Sequence, residues 1–398
     1  MENETKFTAA LEISSEKVKV LLGYAMRKTP IVLFYKEIPH LAVQGGRIID
    51  KDNLVETLKA LSHYEDASLS LKIDTTQVSL ILPPLAFQVF QCERTTNIIS
   101  QDSIIDRVDI SNVISLVKKE RVPDGNIIVD IVPDYFSLEN GTTYDEPPIG
   151  AKSDSLSIQA KVHTLPKDIF NSYRGAVEDA NIRVKRTSIM PYAVAELYKS
   201  MPDVPQTYLY IEFGARLTTL SLIGEGKPYS SLFFQLGSED LTDEISSKLN
   251  LAKEDARNLK EKYGYDPDIH KFELPLIYDQ EKKNVIYQKD LNRVIEDFFT
   301  GYKAKLKNAV ETLFRKHDIT DLNAVPYIVM GNGVRLKNFD SFFKDDFPPF
   351  LHPKCPAVGL KDYGCNALLG LLLIEAGYKG TLEDNYRTVG LLSRREDK

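Results

Sequence analysis

The sequence predicts a duplicated α/β fold whose two halves close on one ligand, and three stretches carry that prediction. Tyr208 to Ile223 reads as a buried strand, a bend holding Glu212 and Gly214, and a second strand entered at Thr218. Phe7 to Ala25 repeats the layout, with Glu12 leaving one strand, Ser14 and Ser15 at the bend and Lys17 opening the next. Downstream, the strand Tyr327 to Met330 runs into Gly331-Asn332-Gly333. A carboxylate beside a tight bend suits a grip on phosphates and a hydrated Mg²⁺, because backbone N–H groups at the bend face anionic oxygens. A glycine turn lets backbone approach a flat base and ribose. Each stretch alone is an ordinary turn. The repetition of the hairpin is what implies two domains facing one ligand.

At 398 residues the chain is long enough for two or three domains. With 43% hydrophobic and 27% charged residues it is globular in composition. A formal net charge of -7 counts against a general nucleic-acid binder, which needs a basic face. Cys92, Cys355 and Cys365 are too scattered for a disulfide framework or a zinc knuckle and point to a reducing compartment. Met1 to Lys6 is polar and acidic, unlike a secretory signal. The apolar run Ala367 to Ile374 is far short of the roughly 20 residues of a membrane span, so a cytoplasmic chain is expected. The six histidines share no helical face and no His-Glu-x-x-His pattern, and no catalytic role is assigned to them.

In chain order, Phe7 to Glu12, Lys17 to Ala25 and Ile31 to Glu37 read as a meander. Leu54, Val55, Leu58 and Leu61 repeat at helical spacing within Asp52 to Leu61. Val78 to Leu82 is a short strand stopped by Pro83-Pro84. A small α/β insertion follows, with strands at Ala86 to Cys92, Asn126 to Val132, Tyr135 to Leu138 and Ser155 to Val162 and a helix from Ile104 to Lys119. Pro166 to Ala180 is a helix, Ile182 to Ser188 a strand and Pro191 to Lys199 a helix. After the second hairpin, Tyr229 to Leu236 completes another meander. The charged region from Gly237 to about Lys316 reads as helices Asp240 to Leu249, Lys253 to Tyr263, and Asp290 to Lys316 interrupted at Gly301. Its apolar side holds Phe298, Tyr302, Leu306, Val310 and Leu313, which leaves Lys303, Lys305 and Lys307 exposed. Asp345-Asp346 is expected to face solvent, and Gly364 to Glu375 is an apolar helix.

The order of hairpin, insertion, hairpin, glycine turn and apolar helix resembles the actin-like ATPases. Within them the chain is similar to the FtsA family of bacterial cell-division actins. The most specific likeness lies in Glu120-Arg121, Ile127 to Val132, Pro133-Asp134-Tyr135, Pro148-Ile149-Gly150-Ala151 and Ala160-Lys161-Val162-His163. Those runs match the family's 1C subdomain, and Ala256 to Gly264 resembles its adenosine-side helix.

The resemblance implies an actin-like, ribonuclease H-like duplicated fold. Its parts would be 1A over 7–83 and 166–205, an SHS2-like 1C insertion over 84–165, 2A over 206–240, 2B over 241–325, 2A returning to 1A over 326–380, and a polar tail over 381–398. It also implies an Mg-ATP site drawn from Glu12, Ser14, Ser15, Lys17, Glu212, Gly214, Arg216, Thr218, Gly237, Lys260, Gly331, Asn332, Gly333 and Arg335. The family's first loop keeps Asp and Gly where this chain has Glu12 and Ser14, and its second keeps glycines where Ala215 and Arg216 stand. These replacements argue for at most weak ATP hydrolysis. Arg216 either reaches phosphate as a fixed cation or plugs the pocket beside Glu12 or Glu212.

The implied partner is the FtsZ C-terminal peptide, held on 2B by Arg293, Lys303 and Lys305, together with other divisome proteins and self-association into filaments through 1C. The implied place is the division septum on the inner face of the membrane. Val389, Leu391 and Leu392 offer little apolar area for the membrane helix that such proteins usually carry, so membrane contact is expected to be indirect. A pilus-assembly actin homologue and a small-molecule kinase of the same superfold are the alternatives.

Overall fold

The structure is a computed structural model that describes residues 7–62, 65–66, 71–72, 77–199, 201–268, 275–279, 284–354, 357–360 and 363–377. The expected polar tail, Cys355 and the weakly apolar Val389, Leu391 and Leu392 lie outside the described residues.

The chain opens with the expected meander, β1 (Thr8–Ile13), β2 (Lys17–Met26) and β3 (Thr29–Pro39), then α1 (Lys51–Ser62) and β4 (Gln77–Leu82). Leu54, Leu58 and Leu61 are the buried stripe that the helical spacing implied. The insertion is β5 (Gln88–Asn97), α2 (Arg107–Lys118), β6 (Asn126–Leu138) and β7 (Ser155–Pro166). Asp106 starts α2 as an N-cap: its carboxylate accepts from the N–H groups of Val108 (2.7 Å) and Asp109 (3.2 Å), and Asp109 reciprocates on the Asp106 N–H. The two strands expected on either side of Pro133 are one long strand. Pro133 has no N–H for the ladder, and it sits where the register with β7 shifts.

The chain continues through α3 (Lys167–Asp179), β8 (Arg183–Ile189) and α4 (Met190–Tyr198) into the second meander, β9 (Thr207–Phe213), β10 (Thr218–Gly224) and β11 (Lys227–Phe234). Next come α5 (Ser238–Leu249), α6 (Lys253–Lys262), a short hairpin of Pro275–Asp279 with Asn284–Tyr287, and α7 (Gln288–Arg315). The last elements are β12 (Tyr327–Met330), β13 (Phe350–Leu351) and α8 (Asn366–Gly377). Gly301 does not interrupt α7. The half of the chain built round β1 to β3 is lobe I and the half built round β9 to β11 is lobe II, and the aromatic residues around Gly301 fix the helix on lobe II: Phe299 stacks on Phe342 at 4.3 Å between ring centres, and Tyr302 lies 4.7 Å from Phe213. Packing outweighs the roughly 1 kcal/mol that an internal glycine costs a helix.

The two five-stranded sheets have one topology. The first runs β3-β2-β1-β4-β8 and the second β11-β10-β9-β12-β13, each an antiparallel meander continued by two parallel strands. The duplication inferred from two hairpins therefore extends to whole sheets. Helix α8 returns to lobe I and is buried on all sides against α4 and the first sheet, as a helix with no polar face must be. The inserted sheet, Thr143–Tyr144 with β6, β7 and β5, has its own apolar core under α2. It is tied to both lobes. Asp130 on β6 pairs with Arg186 of lobe I at 3.4 Å. Asp134, four residues on, takes Lys227 of lobe II, whose ammonium also donates to the Pro133 carbonyl at 2.9 Å. Among the described residues, no helix is long and apolar enough to cross a membrane.

Candidate nucleotide cleft

A cleft of about 580 Å³ lies where the two hairpins face each other. Because the sheets share a topology, the hairpins share a register. Glu12 pairs across the ladder with Lys19, and Ile13 with Val18; Glu212 pairs with Thr219, and Phe213 with Thr218. Each bend is closed by its own backbone, Ser14 N–H to the Lys17 carbonyl at 2.9 Å and Gly214 N–H to the Leu217 carbonyl at 3.0 Å. Neither bend puts Ser14, Ala215 or Arg216 in the left-handed region, so the lost glycines cause no backbone strain. What changes is that side chains now stand at the bends. The Ser14 hydroxyl caps its own turn by donating to the Lys17 carbonyl at 2.9 Å.

Glu12, Ser14, Ser15, Lys17, Glu212, Gly214, Lys260, Asn332, Gly333 and Arg335 are brought together on the cleft wall. Arg216, Thr218, Gly237 and Gly331 are not. Thr218 is fully buried and donates to the Leu236 carbonyl at 2.8 Å; its neighbour Thr219 faces the cleft instead. Gly237 precedes α5 and its N–H is taken by Asp240 at 2.7 Å. Gly331, at φ +99°, lies where a Cβ would stand 2.5 Å from the Phe213 carbonyl oxygen, so it seats the turn after β12 against the end of β9.

Arg216 pairs with neither Glu12 nor Glu212. It bridges Glu16 at 3.1 Å, Asp240 at 2.9 Å and Asp243. Glu16 and Arg216 are 200 residues apart and occupy the same turn position in the two hairpins, so the duplicated bends clasp each other across the cleft mouth. An Arg216→Glu change is expected to weaken the fold by about 1 kcal/mol, the scale of a half-exposed charge pair, with part recovered in the Glu16→Arg double variant. A double-mutant cycle by chemical denaturation measures it; strict additivity would dissolve the clasp.

Every lysine placed on this cleft has a partner inside the protein. Lys17 donates to Glu37 at 2.5 Å, and Lys260 donates to the Ser238 carbonyl at 2.8 Å and to Thr242 at 2.6 Å. Burial pulls Lys260 below the ordinary lysine value, although Glu239 opposes it. Burial alone would raise Glu37, but donors from Lys17 and Tyr35 hold its carboxyl below the ordinary range. The N–H groups of Ser238 and Glu239, which open α5, are consumed by the Gly214 and Ala215 carbonyls at 2.9 and 2.8 Å. A helix start that could have met an anion is thus closed by the second bend.

Among the charged wall residues that escaped the sequence reading are Lys19, Glu239 and Arg257. Lys19 lies at the cleft floor, with Glu12 at 3.4 Å and the Gly364 carbonyl at 2.6 Å. Burial works against its charge, yet the neighbouring Glu12 carboxylate holds it protonated, above the ordinary lysine value. Glu212 is pushed up to about 7 by burial and by the facing Glu12, against the pull of Lys19 and the Tyr210 hydroxyl. The sequence signal was present in Lys17-Val18-Lys19-Val20, whose alternation sets Lys19 on the face of β2 opposite Glu12.

Arg293, Lys303 and Lys305 all lie on α7, away from the cleft, and do not form one patch. At about 100° per residue, Lys305 is about 120° round the helix from Arg293 and about 160° from Lys303. Arg293 and Lys305 are exposed, whereas Lys303 is half-buried and pairs with Asp346 at 2.7 Å. That pair corrects two expectations at once, an exposed Lys303 and a solvent-facing Asp346.

No family model matches the chain. The cell division protein FtsA of Enterococcus faecalis is 24% identical over 261 residues, 66% of this chain and 59% of that protein. The chain therefore spans less than two thirds of that relative's length. Further proteins described as FtsA match at 22 to 24% identity, one over 88% of this chain. Among solved structures, the PilM–PilN type IV pilus biogenesis complex superposes with a TM-score of 0.59 at 16% identity, covering 93% of this chain and 98% of that one. MreB5 of Spiroplasma citri bound to AMPPNP superposes with a TM-score of 0.55 at 14% identity, covering 96% of this chain and 99% of that one. These likenesses give an actin-like fold, and the sequence matches point to one branch of it: the chain is an actin-like protein similar to the cell division protein FtsA, with other residues at both bends.

Proposed function

We propose that the chain is an actin-like scaffold of bacterial cell division that works by holding partners rather than by turning over ATP. The observation that carries this reading is the pairing state of the cleft: the lysines that could meet phosphates are spent on internal partners, and Arg216 is spent on the clasp. The adenosine side, with Lys260, Asn332, Gly333 and Arg335 on the wall, suits a nucleoside. The bends suit a triphosphate poorly. Hydrolysis is weak or absent on this reading.

The partner in this reading is the acidic-hydrophobic C-terminal peptide of FtsZ, bound on the helical subdomain around α7, with self-association through the inserted sheet and membrane contact made through partners at the septum. Arg293 is the exposed cation on which the peptide site rests; Lys303, already paired, contributes less. With the full chain and a labelled FtsZ tail peptide, fluorescence anisotropy is expected to show binding that weakens about tenfold in Arg293→Glu, the loss of about 1.4 kcal/mol. Unchanged affinity removes Arg293 from the site. A wild-type chain that ignores the peptide removes the reading. The pilus-assembly alternative has the likeness of fold to PilM, which at 16% identity speaks to fold alone.

A further inference from the structure

The outer edge of the second sheet ends at a histidine. β12 and β13 pair in parallel, Tyr327 with Phe350 and Ile328 with Leu351, and the next rung would join Val329 to His352. There the imidazole takes over from the backbone. His352 Nδ1 lies 2.7 Å from the Val329 carbonyl oxygen, and Nε2 lies 3.0 Å from both carboxylate oxygens of Asp340. Both ring nitrogens therefore face acceptors. A neutral imidazole has one N–H and one lone pair, so it can serve one of these partners and must turn a lone pair on the other, whereas an imidazolium donates to both. Val329 and Asp340 are the two ends of a single segment, residues 329–340, which carries Asn332, Gly333, Arg335 and Leu336 onto the cleft wall. Within it Gly331 seats against the Phe213 backbone, and Phe339 stacks on the Phe213 ring at 5.6 Å. One ring closes this loop.

We infer that His352 is a proton-dependent staple of the cleft wall: as an imidazolium it holds both ends of residues 329–340, and on losing its proton it must let one end go. The groups around the ring favour the held state. The turn Phe339–Phe342 brings Asp340, β13 has no titratable side chain, and on β12 burial keeps the Tyr327 phenol neutral. Among the described residues Asp340 is the charged group that acts on the ring. By accepting from it, Asp340 raises the imidazole above the ordinary 6.5, against the cost of partial burial. The His352 side chain keeps 29% of its surface exposed, so solvent can deliver and remove the proton. A histidine raised by folding contributes its full stability below 6.5, and that contribution is lost as the pH climbs through the higher folded value. The wall is expected to loosen in alkaline conditions, whatever the cleft holds, so the staple stands apart from the scaffold reading.

The test follows the ring and the fold together in the full chain. Nuclear magnetic resonance of nitrogen-labelled histidine, with His352 assigned by its loss in His352→Gln, is expected to show a ring protonated on both nitrogens at pH 6.5 that turns neutral only at more alkaline pH. In Asp340→Asn the same signal is expected to titrate at lower pH. By urea denaturation, raising the pH from 6 to 8.5 is expected to cost wild type about threefold more in its folding equilibrium constant than it costs His352→Gln, the scale of a half-exposed ion pair. Hydrogen exchange within residues 331–343 is expected to quicken over that window in wild type, relative to the variant. A His352 ring that is neutral at pH 6.5 overturns the inference, and so do stability curves that run parallel in the two chains. Should His352→Gln fail to fold, the histidine signal moved by Asp340→Asn identifies the ring, and no signal moving overturns the staple. None of these readouts uses a nucleotide or the FtsZ peptide, so the two readings fail separately.

Discussion

Gly370→Val is expected to prevent the chain from accumulating in folded form, and Gly370→Ala to cost about 3 kcal/mol. Helix α8 crosses α4 so closely that a Cβ at Gly370 would stand 1.7 Å from the Ala193 carbonyl oxygen, 2.5 Å from its carbon and 3.2 Å from its Cα. These are backbone atoms of a helix whose residues are nearly all buried, so neither partner can yield by changing a rotamer. Inserting a methyl there must separate two helices at the centre of lobe I, at the upper end of what overpacking costs. Gly301→Ala is the contrasting control. It lies in α7 with nothing within 4 Å of an added Cβ, so it is expected to stabilise by about 1 kcal/mol through helix propensity. Urea denaturation of the three chains measures both signs; a Gly370→Ala chain as stable as wild type would mean that α4 and α8 do not meet as described.

Glu212→Gln is expected to make the fold more stable at pH 8 by about 2 kcal/mol and to leave it unchanged near pH 4. In the folded chain the Glu212 carboxyl rises from 4.5 to about 7. A carboxyl raised by folding contributes stability while protonated; that contribution is complete below the unfolded value and is lost as the pH rises through 7. The shift is equivalent to about 3 kcal/mol for a group sealed from water, reduced to about 2 here because one side of Glu212 opens to the cleft. Glutamine keeps the neutral form at every pH and can still accept from the Tyr210 hydroxyl, which lies 2.8 Å from the carboxylate. The stabilities of the two chains should converge as the pH is lowered from 8 to 4. A variant less stable than wild type at pH 8 would show that the Glu212 charge is needed to balance Lys19.

How far the sequence speaks depends on whether a feature is local. The meanders, the insertion and the apolar α8 were legible because each follows from periodicity or from proline and glycine punctuation over a dozen residues. Pro133 and Gly301 misled for the complementary reason: their intrinsic preferences are real, but a long antiparallel partner and an aromatic cluster outweigh them. At the cleft, the residues at the two bends were found by repetition alone. The partners of Arg216 were not, because Asp240 and Asp243 come from the start of α5 and Glu16 from the other lobe. Lys303 was misjudged for a similar reason, since Asp346 reaches it from a loop more than 40 positions away in the chain. Lys19 is the instructive case. Its position opposite Glu12 was readable from alternation once the hairpin register was granted, and only its bond to the Gly364 carbonyl, 345 positions away, required the folded chain to be seen.

The inserted sheet behaves mechanically as a crossbar. Strand β6 is bolted to lobe I through Asp130 and Arg186 and to lobe II through Asp134 and Lys227, with the irregular stretch around Pro133 beside the second bolt. Prising the lobes apart must snap one of these bolts or flex the strand between them. The Glu16–Arg216 clasp joins the same two lobes at the cleft, so the crossbar and the clasp share the load of any force that pulls the lobes apart.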